Sequence, residues 1–401
     1  MWKSFRIGSL FGIPIKLDVT FLLILPVFAY IIGAQLEEVA DVINLTMGAN
    51  LEIATLVDPW WMPWLLGLAA ATGLFVGVVF HELGHSLTAQ RYGYPIDSIT
   101  LWLLGGIAAL TEMPENWRQE FAIAIAGPIV SVLVGVGSYA LFLVTPESLD
   151  GVRFVLAYLA VLNVALAVFN MLPAFPMDGG RILRALLARS QPYAKATQQA
   201  AAVGKFFAFL LGLFGLFAFN PILIAVAFFI YIAASGEAQQ VTMRAAFQDV
   251  TVGDIMTPAD RLQTVSPSTS VAELIRRMFS ERHTGYPVME DGHLVGLVTL
   301  SDAREVRPVE REAFTVDEVM TTELETIDAD ADVVDAIDRM RSEGIGRLLV
   351  VGRSSTDAWG RPVESEPRLV GILTRSDVMT ALDIVQQSGS VTPERPGHPA
   401  D

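Results

Sequence analysis

The sequence predicts a polytopic α-helical membrane domain of six transmembrane helices, followed by a soluble α/β portion built from two similar halves. Three observations carry that prediction. Apolar stretches long enough to cross a bilayer recur over residues 1–240, and one of them, residues 64–80, has no charged residue. The whole chain of 401 residues is 52% hydrophobic with mean hydropathy +0.48, too apolar for a soluble globular protein. Charge gathers beyond residue 240, where 28 Asp and Glu face 16 Lys and Arg, a balance of −12 within the formal −16. The expected divisions are a membrane domain over 1–240, a first repeat over 241–310, a second over 311–385 and a disordered tail, rich in Ser, Pro and Gly, over 386–401.

Residues 2–16 read as a short amphipathic prelude with Lys3, Arg6 and Lys16. The apolar run 19–33 has the basic start of a signal peptide, but no small-x-small cleavage site follows, so it reads as an uncleaved first span. Residues 35–63 hold Glu37, Glu38, Asp41, Glu52 and Asp58 and no Lys or Arg. They end on Trp60-Trp61-Met62-Pro63-Trp64, the composition of an interfacial anchor. The second span runs from there to about Gln90, and its Gly73 and Gly77 allow another helix to approach closely. Residues 91–120 read as a loop in which Gly105-Gly106 is, most plainly, a hairpin turn. Residues 121–144 form the third span, with Ala126-Gly127-Pro128, and 154–172 the fourth, with Asn163 and Asn170. Pro173, Pro176, Gly179 and Gly180 cannot continue that helix, so the chain opens around Asp178. An amphipathic stretch with Arg181, Arg184 and Arg189 follows, then spans at 203–219 and 222–234 joined at Asn220-Pro221.

Basic residues precede the first span and recur at Arg91 and Arg118 after the second, and at Arg181, Arg184, Arg189, Lys195 and Lys205 after the fourth. The first outer loop has none and the second only Arg153. Six spans with both termini in the cytoplasm satisfy the positive-inside rule. The second and fourth spans then run in the same direction. His81 lies 17 residues past Trp64, roughly 25 Å along a helix at about 1.5 Å per residue. Asp178 lies just past the fourth span, so both sit toward the cytoplasmic side at similar depth.

The second span ends in His81-Glu82-Leu83-Gly84-His85, an H-E-x-x-H motif. Residues i and i+4 share a helix face, so His81 and His85 can hold one metal ion, and Glu82 beside them can take a proton from water. Of the five histidines only these two lie in the hydrophobic half; His283, His293 and His398 lie beyond it. The plainer reading is a pair of core histidines satisfied by carbonyls. Ionisable groups clustered at membrane depth are costly, which favours the functional reading. Asp178 can supply a third ligand, leaving a fourth position for water, or it can cap the helix that starts near Gly180. Spacing alone leaves both open.

His81-Glu82-x-x-His85 in the second span, with Asn170-x-x-Pro173-x-x-Pro176-x-Asp178-Gly179 after the fourth, resembles the site-2 protease family of intramembrane zinc metalloproteases. Gly105-Gly106 and Ala126-Gly127-Pro128 are similar to family features as well. The resemblance implies one Zn²⁺ per chain held by His81, His85 and Asp178, with Glu82 as general base and later acid. It implies that Asn170 positions substrate or stabilises an oxyanion; the plainer role of a buried helix Asn is a bond between helices. It places Gly105-Gly106 in a membrane-associated loop where an extended substrate adds as a strand. The implied activity is cleavage of a single-span protein within the bilayer. A helix hides its carbonyls, so the substrate must unwind first.

Beyond residue 240 the chain repeats itself. Asp254-Ile255-Met256-Thr257 echoes Glu318-Val319-Met320-Thr321, and residues 294–302 echo 369–377. Residues 271–279 and 333–341 have helical patterns, and Asp291-Gly292 reads as a hairpin turn. The pattern resembles a tandem pair of cystathionine-β-synthase (CBS) domains. That resemblance implies adenine nucleotide (ATP or AMP) bound by Thr299 and Asp302, or by Thr374 and Asp377, each Asp on a ribose and each Thr on a phosphate. The acidic field calls for Mg²⁺ beside the nucleotide. A polar insertion at 352–368 sets the second copy apart. The bland alternative is a structural module that associates two copies into a homodimer.

Composition excludes some classes. The chain has no cysteine, hence no disulfide and no thiolate ligand or nucleophile. Its acidity opposes nucleic-acid binding. Lysine occurs only at positions 3, 16, 195 and 205, and an acidic, lysine-poor cytoplasmic portion suits high salt, which points to a halophilic archaeal source. A second class of function, a metal-binding membrane transporter regulated by the CBS pair, shares most of these features; the proline-broken segment at 173–180 suits it too. Glu82 separates the two, being central to a hydrolase and without an obligatory task in a transporter.

Overall fold

Apolar segments in a bilayer must satisfy their own backbone polar groups, and the long runs do so as helices. The computed structural model describes residues 4–102, 105–110, 116–248, 250–352 and 368–388. It comprises two compact units, Met1–Val241 and Thr242–Asp401.

The first unit opens with β1 (Ser4–Leu10), β2 (Ile13–Asp18), α1 (Val19–Ala34), α2 (Leu36–Met47) and α3 (Ile53–Val57). Then come α4 (Met62–Arg91), β3 (Ile96–Trp102), β4 (Gly105–Leu110), α5 (Trp117–Val144) and α6 (Asp150–Asn170). The short α7 (Asp178–Ala188) leads into α8 (Tyr193–Phe217) and α9 (Pro221–Ala246). Among the described residues α4, α5, α6, α8 and α9 are long and apolar enough to cross a membrane; a sixth span exists if α1 and α2, bent by 65°, count as one. The bend extends an α1 of 16 residues, about 24 Å at 1.5 Å per residue, toward the roughly 30 Å of a hydrocarbon core.

Two sequence expectations are corrected. Residues 4–18 are a β-hairpin, not an amphipathic prelude: Phe11 and Gly12 have φ of 51° and 83°, the positive values a two-residue hairpin turn requires. Residues 96–110 hold a second hairpin instead of a loop, and Gly105-Gly106 opens β4 with Gly105 paired to Trp102. Both hairpins join in one sheet of order β1-β2-β3-β4, with β2 parallel to β3. Ile13 and Ile99 of this sheet bury against Leu83 of α4, so the sheet lies over the H-E-x-x-H turn.

Glycines set the spacing of α4 from its neighbours, one of them within the same turn. A Cβ at Gly73 would meet the Leu159 side chain, and one at Gly77 would run into Asn163, so both glycines admit α6. A Cβ at Gly84 would lie 2.8 Å from the Ala126 carbonyl oxygen, so Gly84 admits α5.

The second unit contains α10 (Val252–Ile255), β5 (Thr257–Pro258), α11 (Val271–Glu281), β6 (Gly285–Glu290), β7 (His293–Thr299) and α12 (Leu300–Glu305). The pattern returns as β8 (Thr326–Asp328), α13 (Val333–Ser342), β9 (Arg347–Gly352), β10 (Arg368–Thr374) and α14 (Arg375–Ser388). In each half an antiparallel strand pair follows a helix, and Asp291-Gly292 makes the first hairpin turn. Each half has its own core, around Val271, Leu274 and Tyr286 in one and Val333, Met340 and Leu373 in the other. Residues 353–367 of the insertion and 389–401 of the expected tail lie outside the described residues, while 386–388 end α14.

Candidate metal centre

His81 and His85 stand one turn apart on α4 and are 4% and 6% exposed. Their Nε2 atoms are 3.1 Å apart. Asp178, 8% exposed, brings Oδ2 to 3.1 Å from the His81 Nε2 and 3.2 Å from the His85 Nε2. The three donor atoms thus form a nearly equilateral triangle. A tetrahedral zinc with bonds of about 2.0–2.2 Å holds its ligand atoms roughly 3.3–3.6 Å apart, so the triangle has the size of one face of such a site.

The partners of the outer nitrogens orient both rings. His85 Nδ1 is 2.7 Å from the Ile123 carbonyl oxygen, which can only accept, so the proton of a neutral ring sits on Nδ1 and Nε2 presents a lone pair. His81 Nδ1 lies 2.8 Å from the Ser131 hydroxyl. The His85 Nε2 lone pair, the His81 Nε2 and a carboxylate oxygen converge in a buried space, an arrangement that a cation stabilises and that is costly without one. Gly127 of α5 leaves the room. A Cβ there would fall onto the His85 Nε2 and lie 2.7 Å from the His81 Nε2. The donor set, the His85 tautomer and the spacing of the three atoms all fit a zinc ion.

Glu82 is rotated about 100° from His81 around α4 and faces the sheet. A Cβ at Gly106 would lie 2.5 Å from the Glu82 Cγ and 3.1 Å from its Oε1, so β4 passes directly over this side chain. Glu82 is half-buried, and its carboxylate makes no hydrogen bond with a described residue. Asp178 is the first residue of α7, not its cap: the cap position is Met177, which has no side-chain bond. Asn170 ends α6, half-buried, and no hydrogen bond among the described residues joins it to the triangle. Sequence reasoning missed Ser131 and the Ile123 carbonyl. It noted Gly127 without seeing that it faces the imidazoles.

In the second unit Thr299 and Asp302 form a capping box at α12, with the Asp302 Oδ2 2.7 Å from the Thr299 N and 2.8 Å from its Oγ1. Thr374 and Asp377 repeat it at α14, at 2.8 and 2.7 Å. Only the second pair lines the cleft of about 410 Å³ in this unit, together with Arg261, Arg282, His283, Arg347 and Arg375. Arg347 also lies flat against Gly285 and bonds the Thr284 Oγ1 at 3.0 Å. Burial lowers its guanidinium from its usual pKa, and the nearby Asp302 carboxylate opposes that shift.

The profile of Peptidase family M50 matches residues 69–150 and 147–212, and that of the CBS domain matches 252–308 and 316–384. Over 384 residues the chain is 33% identical to zinc metalloprotease MJ0392 of Methanocaldococcus jannaschii, covering 96% of this chain and 97% of that one. It is similar to the solved site-2 protease from Methanocaldococcus jannaschii at 37% identity and a TM-score of 0.41, covering 59% of this chain and 95% of that chain. A crystal structure of CBSX2 of Arabidopsis thaliana in complex with AMP matches at 30% identity and a TM-score of 0.27, covering 34% of this chain and 98% of that chain.

Proposed function

This chain belongs to peptidase family M50, the site-2 proteases, with a tandem CBS pair after the protease, and from that premise we propose that it hydrolyses peptide bonds in or beside the membrane-spanning segments of single-span proteins. The observation that supports this most is the buried triangle of His81, His85 and Asp178 with Glu82 beside it. Zinc held by those three residues would supply a Lewis acid for the scissile carbonyl and acidify a water. Glu82 takes the proton from the attacking water and returns it to the leaving amine. Ser131 and the Ile123 carbonyl keep the imidazoles turned inward. β4 is the edge of its sheet among the described residues and passes over Glu82, so an unwound substrate segment can pair with it through main-chain hydrogen bonds. Asn170 takes the substrate-positioning task that the family resemblance implies. The transporter reading gave Glu82 no task, whereas a metalloprotease family gives it one.

The CBS pair is assigned an adenine nucleotide at Thr374 and Asp377, and through it control of the protease. Arg261, Arg282, Arg347 and Arg375 make that cleft locally basic within an acidic unit, so phosphates can bind there without Mg²⁺. Both termini lie in the cytoplasm in this account, and two copies associate through the CBS pair. The test is cleavage of a labelled single-span protein in membranes. Glu82→Gln should lower the rate by about 10²–10⁴-fold, the usual worth of a general base, with zinc content unchanged. Full residual cleavage would end the protease reading.

A further inference from the structure

Arg184 counts toward the basic side in the sequence, yet it is buried, 2% exposed. It sits on α7, the helix that begins with Asp178. Its Nε and Nη2 both lie 2.6 Å from the Glu120 Oε1 on α5, and its Nη1 bonds the Glu237 Oε1 on α9. The guanidinium stands 5.0 Å from the centre of the Phe175 ring and 4.9 Å from that of Tyr193 on α8. One buried cation therefore touches α5, α8, α9 and the loop that delivers Asp178.

Such a cluster is a weak way to stabilise a fold, because desolvating the charges offsets most of their attraction. Here it also leaves the Glu120 Oε2 without a hydrogen-bond partner among the described residues. What it does well is fix geometry. Glu120 stands one turn from Ile123, whose carbonyl orients His85. Phe175 stands three residues before Asp178. Gly180 presses the first turn of α7 onto that loop, where a Cβ would lie 2.7 Å from the Ala174 carbonyl carbon. Packing between α5 and α7 brings the two helices together, and the Arg184–Glu120 ion pair pins the Asp178 helix to the α5 turn whose Ile123 carbonyl sets His85.

We propose that Arg184 is a positioning residue for the metal centre: by holding Glu120, Glu237 and the Phe175 ring together, it fixes where α7 presents Asp178 to His81 and His85. The proposal rests on those three residues being the zinc ligands. It is tested on the purified full-length protein by zinc affinity at buffered free Zn²⁺ and by the visible spectrum of the Co²⁺-substituted form. Arg184→Gln should weaken zinc binding by about tenfold to a hundredfold, the usual effect of disturbing the shell behind the ligands, and should shift the Co²⁺ bands. Arg184→Lys keeps the charge but lacks the fork that reaches two carboxylates, so it should recover only part of the affinity. Glu237→Gln, which leaves the Glu120 half of the cluster in place, should give a smaller loss. Should Arg184→Gln fail to fold, Arg184→Lys and Glu237→Gln carry the test. Wild-type affinity and spectrum in both, whatever happens to their thermal stability, would overturn the proposal. His81→Ala separates the two layers: zinc binding that survives it refutes the ligand assignment itself, whereas its loss there beside normal binding in the Arg184 variants refutes the positioning role alone.

Discussion

Two glycines decide how the site can be probed at the scale of single residues. Gly127 makes room for the two imidazoles, so Gly127→Ala drives a methyl onto the His85 and His81 Nε2 atoms. We expect zinc content near zero in that variant with helix content unchanged, read by metal analysis and circular dichroism. Gly106 instead backs onto Glu82, so Gly106→Ala should leave zinc content intact and lower kcat by displacing the carboxylate. The reverse pattern in these two variants would contradict the site as described. His81, Glu82 and His85 were legible in the sequence because a spacing of four residues is one helical turn, a local fact. Asp178 was only half legible, since a carboxylate at a helix start suits a cap as well as a ligand, and the choice depends on what α4 brings against it. Ser131 and the Ile123 carbonyl were not legible, because a serine and a main-chain carbonyl carry no spacing signal.

At the scale of elements, hydropathy located the spans but not always their ends. The last span reads as 222–234, whereas α9 continues to Ala246. Apolarity stops where the membrane would, and Glu237, Gln239 and Gln240 are no obstacle to a helix in water. The sheet was missed for a different reason: β2 pairs in parallel with β3, which follows only after α1, α2, α3 and α4, and no local pattern reports such a partner. The CBS repeats were read from their echoes, and the insertion at 352–368 set the second copy apart, but the sequence did not show that Thr374 and Asp377 line an open cleft. Thr299→Ala and Thr374→Ala each remove half of a capping box and should each cost about 1 kcal/mol of stability in the second unit. Only Thr374→Ala should also weaken nucleotide binding, because Thr374 lines the open cleft and Thr299 does not. Calorimetry with AMP and ATP should find one site per chain, and equal losses in the two variants would argue against this assignment.

On the scale of the whole molecule, charge and apolarity are sorted along the chain, with a balance of −12 beyond residue 240. Self-repulsion of that order is screened when the Debye length falls from about 10 Å at 0.1 M salt to about 3 Å at 1 M. Thermal unfolding of the CBS pair within the full chain should therefore shift upward between 0.1 M and molar KCl. Equal stability at both would remove the case for a high-salt cytosol. The membrane unit has the opposite character: apart from Asp18, which caps α1, and Arg153, which stacks on Phe142, its buried charges are gathered at the metal centre and around Arg184, both at the service of one ion. The most direct measurement is zinc binding to the purified full-length protein, wild type against Asp178→Asn. The account predicts one zinc per chain in the wild type and a loss of affinity beyond about a hundredfold in the variant, since a ligand should weigh more than its supporting shell. A wild-type protein that binds no zinc, or a variant that binds it equally well, would contradict the account at its centre.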